Sequence, residues 1–216
     1  MPNTTKMAST QMHITDTDFS DLRVKIRPGQ TVYIPGEDLD EAAFYTFCLN
    51  NRELRIERDS NGEIHIALPT NSETGRQNAE LGAEIGIWNR RTKLGYVFDS
   101  STMFKLPNGA ERSPDVSWVR KERWEALSAE QQQRFAPIMP DFVIELRSGE
   151  QSLTELRDKM EEYMACGAQL GWLIDAKNRR TYVYTANGDI QTVSFDLEIT
   201  GGEVMPGFML KLGELW

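Results

Sequence analysis

Pro140-Asp141-Phe142-Val143-Ile144-Glu145-Leu146-Arg147 is an apolar run closed by an acid, and the fold is read outward from it. At a period of two, Phe142, Ile144 and Leu146 share one face of a strand, and Val143, Glu145 and Arg147 share the other. A central strand covered on both sides rarely carries a bare carboxylate, because burying one costs several kcal/mol or more. Glu145 therefore needs a partner: Arg147, another cation or a metal ion.

Two further residues join it. Asp115 follows Pro114 and opens a second apolar strand, Val116-Ser117-Trp118-Val119. Downstream, Leu153, Leu156, Met160 and Tyr163 form the apolar stripe of a helix. Lys159 stands about 60° from Leu156 at 100° per residue, so it borders that stripe. A lysine so placed can lay its stem on apolar surface and carry its ammonium to the sheet. Two carboxylates and an ammonium suffice for a hydrolytic site. The acids would hold Mg²⁺, a hard ion that takes few protein oxygens and keeps its waters. The ion acidifies a water and offsets phosphoryl charge, while the lysine orients the nucleophile. Each residue also has a plainer reading: Asp115 as a turn cap, Glu145 paired with Arg147 or a helix N-terminus, Lys159 as a solvated lysine.

Around this centre the chain alternates. A helix is predicted over 38–50, with Asp38 as its cap. A hairpin follows, with Asn61-Gly62 between Leu54, Ile56 and Ile64, Ile66, Leu68. A second helix spans 74–91 on the stripe Leu81, Ile85, Trp88. Strands are predicted at 96–102, 115–120 and 142–147, interrupted by a charged helical excursion over 121–139. A third helix runs from 152 to 166 and ends at Gly167. Strands at 172–174 and 182–184 and a tail of short strands complete the chain. A helix between strands suggests a crossover in a mixed sheet covered by helices, an α/β (α+β) fold. Residues 1–30 read as a mobile arm and 31–216 as one domain.

The bulk properties set limits. The 216 residues are 39% hydrophobic and 26% charged, ordinary for a globular chain. The formal net charge of -9 argues against broad attraction to nucleic acid and confines any such contact to one local strip. No run approaches the length of a membrane helix, and the opening MPNTTKMASTQMHITD carries no signal-like apolar run. Cys48 and Cys166 are isolated, which predicts reduced thiols, a cytoplasmic setting and no zinc site. GxSxG, P-loop and HExxH signatures are missing from the sequence.

The order of Ser113-Pro114-Asp115-Val116-Ser117-Trp118-Val119-Arg120, then 140–148, then Leu156-Arg157-Asp158-Lys159-Met160-Glu161-Glu162-Tyr163, then Gly171-Trp172-Leu173-Ile174-Asp175 resembles the Uma-two family. Those proteins are restriction-type endonucleases of the PD-(D/E)XK superfamily. The resemblance includes 73–80 and 98–102 and covers about half the chain, from Glu73 to Tyr184. It implies a restriction-endonuclease-like core: a mixed central sheet flanked by helices, preceded here by the arm and hairpin. It also implies Asp115 and Glu145 as ligands of Mg²⁺ or Mn²⁺, and a catalytic lysine moved from the strand to the next helix, here Lys159. The usual strand position for that lysine is 147, where Arg147 is expected to contact substrate. Superfamily members often carry an acid on the first helix, and Glu73 is preferred over Glu80. Departure from the family pattern at Ser148-Gly149-Glu150, where a Ser-Pro turn is common, bears on activity. The expected function is hydrolysis of DNA phosphodiesters by a possible homodimer. The alternative is an inactive module of the same fold that binds nucleic acid or protein.

Overall fold

A computed structural model describes residues 32–34, 39–67, 70–149 and 151–216; the expected arm over 1–30 lies outside them. In chain order the elements are β1 (Val32–Ile34), α1 (Glu41–Asn50), β2 (Arg55–Arg58), β3 (Ile64–Ala67), α2 (Ser72–Thr92), β4 (Gly95–Asp99), β5 (Phe104–Lys105), β6 (Glu111–Arg112) and β7 (Val116–Arg120). They continue with α3 (Lys121–Glu125), α4 (Ala129–Gln132), β8 (Phe142–Leu146), α5 (Leu153–Ala165), β9 (Leu170–Asp175), β10 (Arg180–Thr185), β11 (Ile190–Ser194), β12 (Ile199–Thr200), β13 (Met209–Leu210) and α6 (Leu212–Leu215). Their contacts divide into two units: residues up to 69 with Gly109–Arg112, and Thr70–Asn108 with Ser113–Trp216. None of the described helices is long and apolar enough to cross a membrane.

The first unit is built on the hairpin. β3 pairs antiparallel with β1 and β2, and β2 also pairs with β6. Phe44 and Phe47 of α1 are buried, as are Ile56, Ile64 and Ile66 of the hairpin. Arg58 grips the buried Glu111 through Nε at 2.6 Å and Nη2 at 2.7 Å. The two-pronged contact suits a planar guanidinium and compensates a carboxylate that is 1% exposed. The cap of α1 is Asp40, which accepts from the Ala43 amide at 2.8 Å. The expected cap, Asp38, lies outside the described residues.

The second unit holds a six-stranded sheet in the order β11-β10-β9-β8-β7-β4. All neighbours are antiparallel except β8 and β9, which run parallel with α5 as their connection. Every residue of β8 and β9 is buried, which accounts for their largely apolar sequences and makes Glu145 and Asp175 the exceptions that need partners. One face, carrying Val116, Trp118, Phe142, Ile144, Leu170 and Trp172, packs with Leu81, Ile85 and Trp88 of α2 and with C-terminal residues such as Phe208. The other face meets α5, where the terminal methyl of Met160 lies over Gly171 of β9. The strand expected to reach Thr102 stops at Asp99, whose side chain accepts from the Ser101 amide and closes a turn. The excursion over 121–139 contains two short helices and then leaves helical form.

At the sheet edge, Asn89 near the end of α2 ties three pieces together. Its Oδ1 accepts from the Gly95 amide at 3.1 Å and from Trp118 Nε1 at 2.9 Å, while its Nδ2 donates to the Gly95 carbonyl at 2.8 Å. A Cβ at Gly95 would strike the Val119 carbonyl oxygen and the Trp118 indole.

Candidate metal centre

The centre forms where β7 begins and β8 ends. Val116 pairs with Ile144 across antiparallel strands, so the next pair outward sets Asp115 opposite Glu145. Both carboxylates are buried, at 4% and 2% exposure. Asp115 Oδ2 accepts the Leu146 amide at 2.8 Å, one residue beyond Glu145. That bond fixes the acid to the partner strand. It also gives Asp115 a structural duty beyond the turn cap that is its plainer reading.

Glu145 lies on the face covered by α5. Lys159 Nζ stands 2.9 Å from Glu145 Oε1, and the lysine side chain is 14% exposed. The Tyr163 hydroxyl donates to the same oxygen at 2.9 Å. Lys159 and Tyr163 are one helical turn apart and therefore share a side of α5. The partner that Glu145 requires is thus on the helix.

Arg147, at the strand position next in the same register, is engaged elsewhere. Its Nη1 contacts the fully buried Asp175 Oδ2 at 2.8 Å and its Nε donates to the Gln151 carbonyl at 3.0 Å. Asp175 also accepts from the Asn178 amide and side chain. Burial works to raise the Asp175 pKa. The bonds from Asn178 and Arg147 outweigh it, and the carboxyl ends below its ordinary value.

The first-helix acids both clasp Arg76: the exposed Glu73 at 2.6 Å and Glu80 at 2.7 Å, and the half-buried Glu80 also accepts from Trp216 Nε1 at 2.8 Å. Hydrogen bonding to Arg76 holds Glu73 below the usual carboxylate range. The α2 residue that reaches Asp115 is Asn78, whose Nδ2 lies 3.3 Å from Asp115 Oδ1. Asn78 Oδ1 is buried and has no hydrogen-bond partner among the described residues. Its sequence signal is position: the stripe Leu81, Ile85, Trp88 extended upstream passes through Asn78 and Thr74. Tyr163 had a signal as well, since a tyrosine hydroxyl in a core stripe needs a partner.

Beside Asp115 lies a groove of about 490 Å³. Its wall on α2 is made of Gly75, Asn78, Ala79 and Gly82, and on β4 of Val97 and Asp99. Small residues at helical spacing leave the inner face of the edge strand uncovered there.

The donor set fits a hard divalent ion. Asp115 and Glu145 supply oxygens only, as Mg²⁺ or Mn²⁺ prefers, and the side chain of Asn78, which carries a buried amide oxygen, lies beside Asp115. A separate group in the first unit, Asp59, Glu63 and His65, brings three potential ligand atoms within 4.8 Å of one another. Its Asp59 is occupied in shaping the hairpin, accepting from the Asn61 and Glu63 amides at 2.9 Å. Burial works to raise the Asp59 pKa, but bonds from His65, Glu63 and Asn61 leave it lowered.

Comparison with known proteins places this architecture. Residues 41–213 match the family Uma2, described as "Putative restriction endonuclease". Among solved structures, a "putative nuclease belonging to DUF820" from Anabaena variabilis matches with a TM-score of 0.64 at 19% identity, covering 74% of this chain and 88% of that one. The shared fold extends over most of both molecules. No curated protein matches the chain.

Proposed function

This chain belongs to the Uma2 family, and from that membership we propose that it is a divalent-metal-dependent endonuclease hydrolysing DNA phosphodiester bonds. The observation that carries the reading is the buried Lys159–Glu145 contact of 2.9 Å at the strand end that Asp115 shares. A metal ion in that position supplies Lewis-acid charge and an acidified water.

Asp115 and Glu145 would hold the ion, and the Leu146–Asp115 bond fixes the backbone of the two strand ends that carry them. Lys159, whose ammonium stands beside Glu145 in the ion-free protein, would orient the attacking water or meet the charge that develops on the phosphoryl group. Compact charge and a transferable proton suit lysine to that task better than a planar guanidinium. The groove against α2 gives the backbone of a nucleic-acid strand access to Asp115. Its volume lies in the range of small-ligand clefts.

The test is single-turnover plasmid cleavage at saturating Mg²⁺ or Mn²⁺. Asp115→Asn and Glu145→Gln should each lower the rate at least about 10²-fold while circular dichroism stays unchanged. Lys159→Ala should cost about 10²-fold, the scale of one lost electrostatic or acid–base contributor. Parent-like cutting by both carboxylate variants rejects the site. A parent that binds DNA yet never cuts it favours the inactive-module alternative.

A further inference from the structure

We propose that Tyr163 is a positioning residue that holds the Glu145 carboxylate in place when the ion is bound; the inference rests on the metal-binding reading of Asp115 and Glu145. Tyr163 is fully buried, and its hydroxyl donates to Glu145 Oε1 at 2.9 Å. Lys159 Nζ reaches the same oxygen, also at 2.9 Å. A carboxylate oxygen accepts two donors through its two lone pairs, so both can hold it together. The two donors differ in charge, and that difference assigns their roles.

A divalent ion arriving at Glu145 repels the neighbouring ammonium, strongly so in a buried setting. The phenol is neutral and suffers no such repulsion. Tyr163 therefore keeps its bond in the loaded state, while Lys159 is released to turn toward the attacked phosphate. The lysine is the less confined of the two, since its side chain retains 14% exposure. The tyrosine has no comparable freedom, being wedged in the α5 stripe with Leu156 and Met160. Tyr163 is the fixed donor and Lys159 the movable one.

A core tyrosine that merely satisfies its hydroxyl would give the same static picture, so the test measures ion affinity. Mn²⁺ binding is followed by electron paramagnetic resonance for the parent, Tyr163→Phe, Glu145→Gln and the double variant. Removing a partner that orients a metal ligand lowers affinity about 10- to 100-fold, and that loss is expected for Tyr163→Phe with its circular dichroism intact. In the Glu145→Gln background the same change should add no further loss, because the oriented group is gone. Should Tyr163→Phe fail to fold, Tyr163→Met, an unbranched filler without a donor, asks the same question. Mn²⁺ affinity within twofold of the parent in a folded position-163 variant overturns the inference while leaving the metal centre standing. A parent without Glu145-dependent Mn²⁺ binding overturns both.

Discussion

At position 147 an arginine stands where the superfamily pattern would set a lysine, and its contacts describe a strut. Arg147 joins the end of β8 to Asp175 at the end of β9 and to the Gln151 carbonyl ahead of α5. Arg147→Ala strips the fully buried Asp175 of its cation, and breaking a buried pair from one side costs about 3 kcal/mol. Part of that is recovered here, because Asn178 still donates to the acid. The Asp175 pKa is lowered in the fold. Its stabilising contribution is therefore present above the unfolded value of about 4 and is lost as pH falls through the folded value below it. Urea unfolding should accordingly show parent and Arg147→Ala well separated at pH 7 and converging below about pH 4. A gap that does not narrow at all as the pH falls below about 4 would trace the effect to packing of the arginine stem. The need for a partner at Glu145 was legible from period and burial alone; which cation supplied it was not. A helix's angular setting against a strand decides between positions 147 and 159, and short-range spacing does not encode that angle.

Elements were easier to read than the contacts between them. The strand around Glu145, the α5 stripe and the Asn61-Gly62 hairpin each follow from a local period, and the described elements stand close to those positions. The boundaries moved where a side chain intervened: Asp99 stops β4 early by closing a turn on Ser101. The lock at the sheet edge was not readable, because Asn89, Gly95 and Trp118 meet only after α2 and β7 are packed. Gly95→Ala tests that lock. The added methyl meets the Val119 backbone oxygen, which cannot rotate away as a side chain can. Overpacking of this kind costs about 1–3 kcal/mol. Thermal unfolding should show a fall of several degrees, with Asn89→Ala shifted in the same direction. A melting temperature equal to the parent's would mean that the edge strand adjusts without strain.

For the whole molecule, a net charge of -9 makes any DNA complex a local affair. With about three phosphate contacts, affinity should fall about forty-fold between 50 and 200 mM salt, from a slope near -0.9 per contact. Fluorescence anisotropy with the cleavage-deficient Glu145→Gln variant reads this directly. Salt-indifferent binding would remove DNA as the partner and favour a protein ligand. Composition anticipated this constraint. It could not anticipate that the contacts divide into two units, with Gly109–Arg112 folding alongside the hairpin strands. A four-residue stretch contributed to a distant part of the sequence leaves no period to detect.

The shared oxygen of Glu145 bears on the order of events in the life of the chain. A buried acid with no countercharge would oblige the nascent protein to capture an ion before its sheet could close. Here the α5 ammonium already supplies that countercharge at 2.9 Å. On the metal-binding reading proposed above, folding would then not wait on ion loading: the newly made chain would assemble in a metal-poor environment and take up its cation late.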